Sequence, residues 1–122
     1  MVDVLIVDDD ANTRTLFRFM LKMLGCQSFE AESGLEAERA AFELNPDLIL
    51  LDIMMPLQDG YQTCANLRSQ GYARTIWLTS ALQAVNQEAK TRQAGADDFL
   101  SKPLTCAVLK TYLDRLGAKQ ES

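Results

Sequence analysis

Short apolar runs and stripes of helical period alternate along the chain. Runs at 3–7, 26–31, 47–52, 75–79 and 97–101 have the length and branched or aromatic character of strands, and the segments between them repeat apolar residues at helical spacing. This βαβα alternation predicts an α/β fold with a doubly wound, five-stranded parallel sheet. Val4-Leu5-Ile6-Val7, Leu48-Ile49-Leu50-Leu51 and Ile76-Trp77-Leu78 are nearly continuous in apolar residues, as central strands covered on both faces require. Cys26 to Ala31 alternates with polar residues and is expected at an edge.

The first helix is predicted at about 11–24, with Leu16, Phe17, Met20, Leu21 and Leu24 on one stripe and Gly25 as its stop. The second opens on Ser33-Gly34-Leu35-Glu36, a capping-box pattern, and ends at Asn45-Pro46. Its apolar face is thin: Ala37, Ala40, Ala41 and Leu44. Asp59-Gly60 and Gly71 bracket a third helix at about 60–70. The fourth, about 83–94, has few large apolar residues and is expected to be weakly anchored. The fifth, 104–116, carries Leu104, Val108, Leu109, Tyr112, Leu113 and Leu116, a wider stripe than one packed face needs. Residues 118–122 read as a frayed polar tail, which leaves 1–117 as a single domain. Met1 and that short tail lead to the expectation of a complete protein.

The residues that end the strand-like runs are chemically selective. The first run leads into Asp8-Asp9-Asp10, the third into Asp52, the fourth into Thr79-Ser80, and Phe99-Leu100-Ser101 into Lys102-Pro103. In a parallel sheet the carboxyl ends of the strands share one rim, where ligand sites lie. Carboxylates gathered there repel: two unit charges 4 Å apart interact by about 4 kcal/mol at an effective dielectric of about 20. A hard divalent cation such as Mg²⁺ relieves that repulsion and is content with one or two carboxylates, waters and phosphate oxygens. Phosphoryl transfer needs an in-line nucleophile, a metal, and further donors to the phosphoryl oxygens. Asp52 can attack, a metal can bridge it to Asp9, Thr79 can donate its hydroxyl and Lys102 can add a point charge. The product is an acyl phosphate, with about two negative charges where one carboxylate stood. Taken alone, Asp8-Asp9-Asp10 also reads as a solvated acidic turn. Pro103 reads either as a cis residue that aims Lys102 inward or as an early residue of the last helix.

Composition narrows the chemistry. Three cysteines without metal-like spacing and the absence of histidine argue against a zinc site and against Ser-His or Cys-His nucleophile pairs, and fit a reducing compartment. A net charge of -5 over 122 residues repels nucleic-acid phosphate and anionic lipid, so neither nucleic acid nor membrane is an expected direct partner. There is neither a basic leader nor an apolar stretch near the roughly 20 residues of a membrane span.

The set Val7-Asp8-Asp9-Asp10, Leu51-Asp52-Ile53-Met54-Met55-Pro56 followed by Asp59-Gly60, Leu78-Thr79-Ser80, and Gly95-Ala96-Asp97-Asp98-Phe99-Leu100-Ser101-Lys102-Pro103 resembles the receiver domain of two-component response regulators, over essentially the whole chain. The resemblance implies a flavodoxin-like (βα)5 fold of strand order 2-1-3-4-5, cytoplasmic signalling, and phosphorylation by a histidine kinase or a histidine phosphotransfer protein. It makes Asp52 the phosphoacceptor, Asp8 and Asp9 the acidic pair, and Lys102 the phosphate-pairing lysine. Mg²⁺ is then held by Asp9, Asp52 and the main-chain carbonyl of Met54, with Asp8 acting through water. Thr79 becomes the switch hydroxyl, with Phe99 moving inward behind it. Phe99 stands where the family often has tyrosine, so its switch is steric only. Asp10 matches no fixed role and is read as the cap of the first helix.

The readout is expected on the face of the fourth helix, fifth strand and fifth helix, meeting a downstream protein or a second copy on phosphorylation. A phosphorelay shuttle uses the same site. Ser80 adds a hydroxyl where the family often has alanine. Met54 and Ala81 cannot orient an attacking water, which predicts a long-lived phospho-Asp52. Two other readings remain: a phosphorylation-independent receiver-like binding module, and a haloacid-dehalogenase-type phosphatase with Asp8 as nucleophile and Asp10 as acid. A flavodoxin-type FMN carrier is disfavoured, because three aspartates would face its phosphate.

Overall fold

The computed structural model describes residues 1–82 and 86–121, with side chains described as far as Gly117. Its elements are β1 (Asp3–Val7), α1 (Ala11–Met23), β2 (Gln27–Ala31), α2 (Gly34–Leu44), β3 (Leu48–Asp52), α3 (Gly60–Ser69), β4 (Thr75–Ser80), α4 (Glu88–Ala94), β5 (Asp98–Ser101) and α5 (Cys106–Glu121). The strands form one parallel sheet in the order β2-β1-β3-β4-β5, the flavodoxin-like arrangement expected from the sequence. β2, the run with polar alternation, lies at an edge.

Because side chains alternate across a strand, each central run feeds two cores. Val4, Ile6, Leu48, Leu50, Trp77 and Leu100 pack with Phe17, Met20 and Leu21 of α1 and Leu109, Leu113 and Leu116 of α5. Leu5, Val7, Ile49, Leu51, Ile76, Leu78 and Phe99 pack on the other side with Ala37 and Ala41 of α2, Cys64 and Leu67 of α3 and Ala94 of α4. Burial of the Cys64 thiol pushes its pKa up to about 11, so it serves as a small apolar residue.

The local signals act as their chemistry requires. Asp10, Ser33 and Asp59 cap α1, α2 and α3, accepting from the backbone N–H of Thr13, Glu36 and Gln62. Asn45 ends α2 in a left-handed conformation ahead of Pro46. Gly25, Gly71 and Gly95 take positive φ where α1, α3 and α4 stop.

Several expectations shift. Leu16 and Leu44 are exposed rather than packed. The sheet covers only the Phe17, Met20 and Leu21 side of α1, and Ala37 and Ala41 already fill the thin face of α2. α5 begins at Cys106, after Leu104 has packed into the core from the loop, and Val108 stays exposed. Gly117, which lacks the positive φ of the three helix-stopping glycines, does not end α5, and its backbone continues to Glu121. Of the tail expected over 118–122, the side chains and Ser122 lie outside the described residues. Of the fourth helix expected over about 83–94, residues 83–85 lie outside the described residues, and the described α-helix runs Glu88–Ala94. It buries Thr91 and Ala94 alone.

Candidate functional site

Strand register and the two-residue period bring the polar strand ends together. Ile6 pairs with Leu50 and Val7 with Leu51, so Asp8 follows beside Asp52, and Asp52 itself pairs with Thr79. Asp8, Asp52, Thr79 and Lys102 each lie two positions beyond a residue packed on the α1/α5 side, namely Ile6, Leu50, Trp77 and Leu100. They therefore project from the same face of the rim. Asp9 has the opposite parity and is exposed, whereas Asp8 and Asp52 are only 1% and 3% exposed.

Carboxylate oxygens of Asp8, Asp9 and Asp52 all lie within 4.8 Å of one another. Lys102 reaches in from beyond β5 and donates from Nζ to Asp8 Oδ2 at 2.7 Å and Asp52 Oδ1 at 3.3 Å. Three carboxylates against one ammonium leave an excess of negative charge in a buried place. Burial and then the neighbouring Asp8 charge push the Asp52 pKa up to about 6, against the pull of Lys102. Burial opposes the Lys102 charge, but its hydrogen bond to Asp8 and the two carboxylate charges outweigh that and hold the ammonium above the usual lysine range. This is an oxygen-donor set suited to a hard divalent cation, which would offset the excess charge.

The surroundings fix the carboxylates. Asp10 N–H donates to Asp8 Oδ1 at 2.9 Å, and Met54 N–H lies 3.4 Å from Asp52 Oδ1. Gly60 is required beyond β3: a Cβ there would stand 2.4 Å from the Asp52 carbonyl oxygen. Thr79 is buried, and its carbonyl accepts from Ile53 N–H at 3.0 Å. The Lys102–Pro103 peptide is cis, and Pro103 precedes α5 rather than opening it. Phe99 lies on the opposite sheet face and lines a cleft of about 400 Å³ with Glu88, Thr91, Arg92 and Tyr112.

Three supporting residues had no role assigned to them from sequence, and of these only Ser80 was singled out there, for its hydroxyl. Arg14 donates to the Asp8 carbonyl at 2.7 Å and pairs with Glu30 at 3.2 Å, tying the first acidic turn to α1 and β2. Its partners are distant in sequence, and a lone arginine on an exposed helix face reads as solvated. The Ser80 hydroxyl accepts from Leu82 N–H at 3.1 Å and holds the turn after β4. Arg68 donates to the carbonyl of Gly95, at the end of α4, and to those of Tyr72 and Arg74, in the approach to β4.

The sequence matches the response regulator receiver domain family over residues 4–114, and the chain belongs to that family. Receiver domains are signalling switches rather than enzymes in the ordinary sense. Among curated relatives, the response regulator MprA of Mycobacterium sp. (strain KMS) is 38% identical over 117 residues, covering 96% of this chain and 50% of that protein. The transcriptional regulatory protein ResD of Bacillus subtilis (strain 168) is 39% identical over 102 residues, covering 84% of this chain and 42% of that one. The chain thus spans half or less of the length of these relatives. Among solved structures, the receiver domain of Francisella response regulator 1452 superposes with a TM-score of 0.90 at 28% identity, covering 98% of this chain and 99% of that one. The Vibrio cholerae chemotaxis protein CheY4 gives 0.89 at 27%, covering 95% and 98%.

Proposed function

We propose that this chain is a phosphorylation-activated receiver that accepts a phosphoryl group on Asp52 from the phosphohistidine of a histidine kinase or histidine phosphotransfer protein. The observation that carries the reading is the buried cluster itself: Lys102 spans Asp8 and Asp52 beside Asp9, with Thr79 paired to Asp52 in the sheet. The Asp52 carboxylate attacks phosphorus, the P–N bond breaks, and the imidazole leaves with the electron pair. Asp9, Asp52 and the Met54 carbonyl, with Asp8 through water, would hold Mg²⁺, which when bound neutralises charge on the transferring oxygens. Lys102 exchanges part of its pairing with Asp52 for a phosphoryl oxygen, and the Thr79 hydroxyl donates to another. Met54 and Ala81 offer no group to orient an attacking water, which favours a persistent acyl phosphate.

The phosphoryl group then shifts a pre-existing equilibrium. Moving it from about 1:99 to about 99:1 takes roughly 5.5 kcal/mol of differential stabilisation. As Thr79 moves toward the phosphoryl group, Phe99 follows inward, and the α4-β5-α5 surface changes for a downstream protein or a second copy. Alternatively the same site hands the phosphoryl group on. This signalling is assigned to the cytoplasm, without direct contact to nucleic acid or membrane. Among the described residues, no helix is long and apolar enough to cross a membrane.

The test is intact mass after incubation with acetyl phosphate and Mg²⁺, with Asp52→Asn alongside. A gain of about 80 Da, one phosphoryl group in place of a proton, that needs Mg²⁺ and is lost in the variant is expected. No gain with acetyl phosphate or with phosphohistidine donors would favour the phosphorylation-independent binding module instead.

A further inference from the structure

α4 is tied to the fold at both ends by side chains of α3, and the two ties are unequal. At its C-terminal end Arg68 donates to the carbonyl oxygens of Gly95 at 2.8 Å, Tyr72 at 2.8 Å and Arg74 at 2.6 Å. It also meets Asp97 Oδ2 at 3.0 Å, and that oxygen accepts from Ile76 N–H at 2.9 Å. One guanidinium thereby joins the end of α3, the approach to β4 and the turn after α4.

At the leading end of α4 the side-chain tie to α3 among the described residues is one neutral hydrogen bond, from the Tyr61 hydroxyl to Gln87 Oε1. Gln87 makes no side-chain cap for the helix. Lys90 Nζ stands 5.9 Å from the centre of the Tyr61 ring. Tyr61, Asp59 and Lys90 line two clefts, one of about 520 Å³ that also takes in Met54, Leu82 and Gln87, the other of about 340 Å³ that also takes in Gln62 and Ala94. Gln87 and the phosphoacceptor loop thus border the same larger cleft, into which the described leading end has room to move.

We propose that the Tyr61–Gln87 hydrogen bond is a releasable latch and the Arg68 cluster a fixed pivot, so that phosphorylation swings the leading end of α4 away from α3. The inference rests on the reading of Asp52 as phosphoacceptor. Drawing Thr79 toward a phosphoryl group pulls Ser80 and, through the Ser80 Oγ to Leu82 N–H bond, Leu82, which lines the larger cleft together with Tyr61 and Gln87. One neutral hydrogen bond yields before a guanidinium held by three carbonyls and a carboxylate. Tyr61 is thus a positioning residue of the switch: while latched, it opposes the phosphorylated conformation.

The experiment is residue-resolved amide exchange by NMR on the full chain, with beryllofluoride and Mg²⁺ as the phosphoryl probe. The Thr91 N–H, bonded to the Gln87 carbonyl, reports the leading end; the N–H groups of Gly95 and Ala96, bonded to Arg92 and Thr91 carbonyls, report the pivot. Without beryllofluoride, Tyr61→Phe is expected to speed exchange at Thr91 about three-fold with Gly95 and Ala96 unchanged, the loss of one neutral hydrogen bond. It is also expected to lower the half-saturating beryllofluoride concentration about three-fold, because the latch no longer taxes the competent state. Gln87→Ala, which removes the acceptor instead, gives the same pattern. Unchanged exchange at Thr91, or an equal rise at Gly95, overturns the latch and pivot. Beryllofluoride that fails to bind the unmodified chain overturns the reading of Asp52 and with it the switching role, while unchanged beryllofluoride affinity in a chain that binds it overturns the coupling alone.

Discussion

Helices α1 and α4 both follow a strand end that bears site residues, yet they are built to opposite standards. α1 is capped by Asp10, buries Phe17, Met20 and Leu21, and is tied to β2 through Arg14 and Arg18, which both reach Glu30. α4 lacks a side-chain cap and buries only Thr91 and Ala94. The difference separates two tasks. The acidic turn after β1 must hold carboxylates against mutual repulsion, so it leans on a helix that cannot shift cheaply. In the proposed switch Thr79, at the end of β4, turns to a new partner, and the segment after β4 must let go.

The largest expected effect tests that contrast directly. Leu21→Ala empties a fully buried position and is expected to cost about 3–4 kcal/mol, transfer and cavity terms together. Thr91→Ala, whose hydroxyl bonds the Gln87 carbonyl at 2.8 Å within its own helix, is expected to cost less than about 1 kcal/mol. Urea denaturation of both variants decides. Equal losses would mean that α4 is as firmly anchored as α1.

Next in size is the cost of the acidic cluster that α1 supports. With Asp52 raised to about 6, the folded chain keeps a proton that the unfolded chain, titrating near its ordinary value of about 4, has released. Stability therefore falls as pH rises between those values, and the deficit is complete above the upper one. Two pKa units correspond to about 2–3 kcal/mol. In EDTA at pH 8, Asp52→Asn is expected to be more stable than the unmodified chain by about that amount, with the advantage fading toward pH 4. Thermal melts across this range check it; an advantage that does not change with pH would place its origin in packing rather than charge.

How much of this contrast was legible beforehand follows from period. The central strands announced themselves as short, nearly continuous apolar runs bounded by polar residues, and those terminal residues marked the rim. In α1 the expected stripe proves too wide: Phe17, Met20 and Leu21 face the sheet, while Leu16 is exposed, as are Phe19 and Met23 outside the stripe. Apolar residues flank the buried ones on the helix, and only the sheet decides which of them are covered. Leu104 keeps the helical spacing of the fifth stripe yet packs from the loop before Cys106, because spacing carries no information about where a loop gives way to a helix. The thin anchoring of α4 was visible in its lack of large apolar residues. Arg14 and Arg68 were not visible, because their partners are mainly backbone carbonyls or residues brought near only by folding.

The smallest effect sharpens the comparison on the α4 side. Ser80 is fully buried at the end of β4, and its hydroxyl accepts from Leu82 N–H. Replacing it by alanine removes one methyl-sized atom's worth of volume and one hydrogen bond, so global stability is expected to fall by only about 1 kcal/mol. The local consequence is larger, because in the proposed switch the same bond transmits movement of Thr79 to Leu82. In Ser80→Ala, exchange at the Leu82 amide is therefore expected to rise while that of Leu21, deep in α1, follows the global loss alone. A rise confined to the β4 end would show that the mobile side of the site is organised by single, replaceable bonds. A parallel rise at Leu21 would show instead that the two helices share one cooperative unit, and the division of labour between them would fail.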